Sequence, residues 1–180
     1  MTGSRVPSAR AAVLDRFAWV DGHADVWAVF RDPHALRAVV RALAEPFATD
    51  GITAVCGIES RGFLLGAATA VELGVGFVPI RKAAGLLPGV TLTRAASPDY
   101  RGLSNTLRLQ RSALTTGDRV VLVDDWIETG SQADAARSLV TDAGADWAGC
   151  GVIVDQLEPS ARARFGRVHS IVLAAELPPG

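Results

Sequence analysis

Residues 120–132 read VVLVDDWIETGSQ, and they crowd Asp124, Asp125 and Glu128 into one short stretch behind a run of branched apolar residues. Like charges this close repel one another, so a fold that keeps them must neutralise or use them. Ionised carboxylates only accept hydrogen bonds. Asp124 and Asp125, placed at the end of a buried strand, therefore suit a ligand that offers two neighbouring hydroxyls or carries a metal. The turn that follows, Glu128-Thr129-Gly130-Ser131-Gln132, leads into a helix start. Free backbone N–H groups and the helix dipole favour an anion there, typically phosphate, and Thr129 and Ser131 add hydroxyl donors. Hydroxyls beside a phosphate describe a sugar phosphate. The plainer alternative is a solvated helix cap built from Asp125, Glu128 and Asp134.

Those residues need elements to position them. Apolar spacing at Leu36, Val39, Val40 and Leu43 predicts a helix over 34–47, opened by Asp32-Pro33. Strands are expected at 52–57, 76–80, 106–110, 119–123, 147–154 and 168–174. Helices are expected at 63–73 and 132–143, stopped by Gly74 and Gly144. Between 81 and 105 the periodicity vanishes and Gly85, Pro88, Gly89, Pro98 and Gly102 intervene, which predicts a long functional loop. Alternating strands and helices imply an α/β fold: a mostly parallel twisted sheet flanked by helices. In such folds ligands collect beyond the carboxyl ends of the strands. Asp124, Asp125, Glu128 and Thr129 fall there, as do Glu59, Ser60 and Arg61 after the first core strand.

The chain has 180 residues, which suits one domain with a real core. Apolar residues make up 49% and the formal net charge is −1, so there is no basic excess of the kind nucleic-acid or membrane-surface binders carry. Lys82 is the one lysine. The amino-terminal stretch, broken early by Asp15 and Arg16, lacks a signal-peptide core, and no apolar run approaches membrane-spanning length. Cys56 and Cys150 lie in apolar runs without metal-ligand spacing, as expected of buried free thiols in a cytoplasmic protein.

VVLVDDWIETGSQ resembles the phosphoribosyl-pyrophosphate (PRPP) signature of the type I phosphoribosyltransferases. GIESRGFLLGAATAVELGVGFVPIRKAAGLLPG, residues 57–89, is similar to the matching region of adenine phosphoribosyltransferases, and the resemblance spans roughly 32–157. It implies that Asp124 and Asp125 hold the ribose hydroxyls and that Glu128, Thr129, Gly130, Ser131 and Gln132 cradle the 5′-phosphate. It also implies that Glu59, Ser60 and Arg61 form a pyrophosphate loop with a cis peptide between Glu59 and Ser60, and that Arg81 and Lys82 face the leaving group. Residues 1–31 would be a hood over the base and 81–105 a lid. Magnesium would arrive with PRPP, bound mainly by its oxygens and by no dedicated protein cluster. The expected partners are PRPP and a small-molecule base, with a homodimer as the assembly. Purine salvage is the implied pathway.

Some positions differ from the family pattern. Trp126 replaces a small aliphatic, Gln132 replaces a small residue, and no glutamate lies between Gly89 and Gln110. The hood segment HADV, residues 23–26, keeps only Asp25 of an F-R-D motif. Glu128 stands where hypoxanthine-guanine enzymes have an aspartate beside purine N7. The catalytic set is therefore Glu128, Arg61 and Arg81, with Trp126 and Glu128 against the base. Trp19 and Trp27 fit hood packing, Asp155 sits near the site, and His23, His34 and His169 fit surface or capping roles. Two functions stay open. One is phosphoribosyl transfer from PRPP to a nitrogenous base, a purine by resemblance. The other is a non-catalytic sensor of PRPP or a nucleotide on the same fold.

Overall fold

The computed structural model describes residues 8–82, 86–97 and 105–179. The start of the chain and part of the expected 81–105 lid, including Gly85, Pro98 and Gly102, lie outside them.

A seven-stranded sheet carries the fold. Its strands are β3 (Ala54–Ile58), β4 (Gly76–Lys82), β5 (Thr91–Ala95), β6 (Thr106–Gln110), β7 (Arg119–Ile127), β8 (Asp146–Asp155) and β9 (Val168–Leu173), in the order β5-β6-β4-β3-β7-β8-β9. Strands β4, β3, β7, β8 and β9 pair in parallel, and β5 and β6 add an antiparallel edge. After β3 the chain first steps to β4 on one side; β7 later pairs on the other. This change of direction opens a crevice at the carboxyl ends of β3 and β7.

Alternation along β7 splits the core. Val120 and Leu122 pack in one apolar cluster with Ala136, Leu139 and Val140 of α5 (Ser131–Asp142). Val121 and Val123 pack in the other with Val39 and Leu43 of α3 (Pro33–Ala44) and Leu65 of α4 (Arg61–Leu73). A strand buried on both faces must be apolar throughout, and VVLV is. Helix α3 begins where its sequence predicts: Asp32 accepts hydrogen bonds from the N–H groups of His34 (2.9 Å) and Ala35 (2.8 Å), with Pro33 in the first turn.

Two expectations need correction. Strand β7 does not stop at Val123 but runs through Asp124, Asp125 and Trp126 to Ile127, because β8 continues to pair beside it as far as Asp155. The stretch 81–105 is not a bare loop. Arg81 and Lys82 belong to β4, and Thr91–Ala95 forms β5 against β6. The amino-terminal region also has regular structure: α1 (Ala9–Leu14), β1 (Ala18–Val20), β2 (His23–Asp25) and α2 (Trp27–Arg31). Asp21 and Gly22, both at positive φ (50° and 74°), join β1 to β2 as a two-residue turn. An Asp-Gly pair is the ordinary chemistry of such a hairpin, and this signal was legible at 21–22. The last helix, α6 (Pro159–Arg162), precedes β9.

Candidate active site

At the carboxyl end of the sheet lies a cavity of about 840 Å³. Its floor is the acid pair on β7. Asp125 is buried, with 5% of its surface exposed, and its Oδ2 makes no hydrogen bond of good geometry. Its charge partner is Arg61, whose Nε stands 3.0 Å from that oxygen. Asp124 Oδ1 accepts the N–H of Asp125 at 2.9 Å. Removal from water, reinforced by the neighbouring Asp125 charge, holds the Asp124 carboxyl well above the usual carboxylate range. The pair is therefore poorly satisfied without a ligand. Two sugar hydroxyls would donate to oxygens that the protein leaves short of donors.

The second wall is the loop between β3 and α4. The peptide bond between Glu59 and Ser60 is cis. Ser60, at the cap of α4, gives no side-chain bond to the helix, so the first N–H groups of α4 remain available to an anion. Gly62 follows because nothing larger fits: a Cβ there would stand 2.9 Å from Asp124 Oδ1. Glu59 lines the cavity but is held from behind. Arg81 donates to it through Nη2 (2.9 Å) and Nε (3.3 Å), and the Lys82 N–H donates at 3.1 Å. The Arg81 guanidinium lowers the Glu59 carboxyl and is itself raised by it.

The third wall is the turn 128–132. Gly130 caps α5 at φ 79°, a left-handed conformation, and a Cβ there would meet the Phe165 ring at 2.8 Å. Gly130 has no side chain to cap the helix; Thr129 Oγ1 accepts the Ser131 N–H at 3.3 Å, and this turn lines the cavity. Ser131 donates its hydroxyl to Ser97 O at 2.6 Å, which ties this turn to the end of the β5 arm.

The far end is aromatic. Trp126, Trp19 and Phe17 form a cluster with centroids 5.3–6.4 Å apart. Trp19 Nε1 donates to Pro178 O at 2.8 Å, and Trp126 Nε1 donates to Gln156 Oε1 at 2.9 Å. Asp25 Oδ1 accepts the Trp27 N–H at 2.8 Å, which starts α2 and brings Trp27 to the cavity, 5.9 Å from the Arg61 guanidinium carbon.

Of the residues singled out in the sequence, Asp124, Asp125, Trp126, Glu128, Thr129, Gly130, Ser131, Gln132, Glu59, Ser60, Arg61 and Lys82 all line this cavity. Arg81 does not; it braces Glu59 and donates to Leu86 O. Asp155 is also off the wall, accepting the Leu157 N–H and pairing with Arg162. His34 sits in the first turn of α3 and His169 on β9, whereas His23 reaches the cavity. Sequence reasoning missed Gln156, which has no motif of its own and arrives only because β8 runs beside β7. Among the described residues no group of three His, Cys, Asp or Glu side chains stands together to hold a metal. A metal at the acid pair would need most of its oxygens from a ligand.

An acid pair short of donors, one helix N-terminus and a second, cation-flanked one meet in this α/β cavity, a set that suits an activated sugar phosphate. The phosphoribosyl transferase domain family matches residues 26–172. Adenine phosphoribosyltransferase from Methylococcus capsulatus is 43% identical over 152 residues, 82% of this chain and 86% of that protein. The crystal structure of adenine phosphoribosyltransferase from Rhodothermus marinus is similar with a TM-score of 0.81 and 35% identity, covering 92% of this chain and 98% of that one. The Giardia lamblia enzyme complexed with 9-deazaadenine is similar with a TM-score of 0.82 and 31% identity, covering 93% and 98%. The chain belongs to the phosphoribosyl transferase family and is a phosphoribosyltransferase of the type I fold.

Proposed function

We infer that the protein transfers the phosphoribosyl group of PRPP to a purine base, giving a nucleoside 5′-monophosphate and pyrophosphate. Adenine is the base to which the relatives' names point. The observation that carries this is the convergence on one cavity of the Asp124–Asp125 pair, the cis-linked Glu59–Ser60 loop and the start of α5.

The chemistry follows from the walls. The ribose hydroxyls donate to Asp124 and Asp125, and the hydroxyl nearest Asp125 displaces Arg61 from its ion pair. The 5′-phosphate accepts from the N–H groups at the start of α5 and from Thr129. The pyrophosphate lies against the start of α4, with Arg61 and Lys82 offsetting its charge. Arg81 acts at one remove, by holding Glu59. Magnesium entering with PRPP supplies further charge neutralisation on the pyrophosphate oxygens. The bond from the sugar carbon to pyrophosphate breaks as a ring nitrogen of the purine bonds to that carbon. The proton that the base loses goes to Glu128, and the leaving charge is met by fixed cations and dipoles. Residues 1–31 serve as the hood and the 81–105 segment as the lid of a single domain. No helix among the described residues is long and apolar enough to cross a membrane, which is consistent with a cytoplasmic salvage enzyme. Exposed Leu64 and Val71 on α4 offer apolar surface for a homodimer.

The test is a screen of free bases with PRPP and magnesium, reading pyrophosphate release. Release with a purine is the expected result. Tight PRPP binding with no release for any base would replace this reading by the non-catalytic sensor.

A further inference from the structure

The base end of the cavity holds a polar side chain whose orientation is decided by its neighbour. An indole N–H is a donor and never an acceptor. The Trp126 Nε1 contact at 2.9 Å therefore fixes which end of the Gln156 amide faces the ring: Oε1 must. The two N–H donors of Gln156 then point away from Trp126. Gln156 lines the cavity. Its backbone is locked as well, because its N–H donates to Ile127 O at 2.9 Å, while the next N–H, of Leu157, is taken by Asp155 at 2.8 Å. Trp126 is held in turn by Phe17 and Trp19. The result is a preorganised donor beside a broad aromatic face, with its acceptor end already used.

We propose that Gln156, oriented by Trp126, is a specificity-determining residue that donates a hydrogen bond to an acceptor on the edge of the base. This rests on the purine reading above and deepens it. That part of the pocket suits a ring nitrogen or an exocyclic oxygen, because an exocyclic amino group placed there would face the N–H donors of Gln156. Glu128, on the same cavity wall, is an acceptor, so the two side chains demand unlike atoms from the ligand.

The test compares the wild type with Gln156→Leu and Trp126→Phe. Steady-state kinetics would use adenine, hypoxanthine and guanine, and purine analogues in which one ring nitrogen is replaced by C–H. In the wild type, replacing the acceptor that Gln156 reads lowers kcat/KM about 2- to 10-fold, the range for losing one ordinary hydrogen bond from a side chain that solvent reaches. In Gln156→Leu the parent base loses about the same factor through KM, the analogue is no longer disfavoured, and the KM for PRPP is unchanged. Trp126→Phe removes the N–H that holds the amide, so it narrows the gap between amino- and oxo-purines. The proposal is overturned if Gln156→Leu keeps the wild-type ranking of every base and analogue, or if it shifts the KM for PRPP as much as that for the base. If the wild type turns over no purine, the purine reading itself has failed. Calorimetry with AMP and IMP then decides the donor separately, and equal affinities in wild type and Gln156→Leu overturn it.

Discussion

The two ends of the cavity are built on different principles. The sugar end consists of strand ends and helix starts: Asp124 and Asp125 on β7, Ser60 and Arg61 at α4, and Gly130 and Ser131 at α5. Its working groups are charges and backbone N–H dipoles, held by the most buried part of the sheet. The base end consists of a short hairpin and aromatic rings, with Trp19 tied to the chain's last residues through Pro178. Fixed charge needs a scaffold that cannot relax around it, and a parallel sheet supplies one. Recognition of a flat, mostly apolar ring needs area and a few oriented donors or acceptors, which a hairpin and side-chain packing can supply. The departures from the family's pattern fall on both sides: Trp126, Glu128 and the HADV segment toward the aromatic end, and Gln132 in the turn at the other.

The largest expected effect breaks the comparison if the base end does no chemistry. Glu128→Gln should lower turnover about a hundred- to ten-thousandfold, the usual worth of a positioned acid–base group, with PRPP affinity nearly unchanged. Wild-type turnover in that variant, measured with an accepted base, would reduce Glu128 to a favourable charge near a helix start.

Asp125→Asn tests the opposite end. It removes a charge-assisted bond worth roughly 1.5–3 kcal/mol, so PRPP affinity by calorimetry should fall about ten- to a hundredfold. Undiminished affinity would mean that the acids do not hold the sugar.

Asp124 should show what the sugar end costs in stability. Its carboxyl is raised, so the folded state binds a proton more tightly than the unfolded chain. The contribution of this carboxyl is then fully present at low pH and declines as pH rises from about 4, the unfolded value, through the raised folded one. Asp124→Asn lacks this decline. In melts without ligand its advantage over the wild type should grow with pH above about 4, while PRPP binding weakens. A difference between the two proteins that does not change with pH would contradict the buried, repelled carboxyl. Asp32, far from the site, is the contrasting acid: the Ala35 N–H first, and then Arg16, hold it at about 2. Its contribution is present above about 3.8 and lost as pH falls through about 2. Asp32→Asn should flatten that acid limb of the melting curve and leave activity near neutral pH alone.

The smallest effect concerns the arm between the two ends. Ser131 donates to Ser97 O, so a phosphate that takes over the Ser131 hydroxyl acts on the β5 arm. Amide exchange across 86–97 should slow when PRPP with a base, or the nucleotide product, saturates the protein. Equal exchange with and without them would mark this arm as permanent packing.

The sequence by itself determined the parallel α/β architecture, because continuous apolar strands such as 120–123 and capped helices such as 33–44 carry their signals locally. It also pointed to residues that meet at one end of the cavity, since Asp124, Asp125 and the 128–132 turn lie in one stretch and the resemblance of 57–89 supplied the loop opposite. Tertiary structure alone decided three things. Arg81 turns to Glu59 and not to the cavity, because an ion pair between residues 22 apart is formed only once β3 and β4 are side by side. The amino-terminal rings of Phe17 and Trp19 meet Trp126 across more than a hundred residues, a contact no local period encodes. And Gln156, unremarkable in QLEPS, becomes an oriented donor only because β7 and β8 run in register and bring an indole N–H to its amide oxygen. Strand and helix signals come from neighbours in the chain, while the direction in which a polar side chain points comes from neighbours in space.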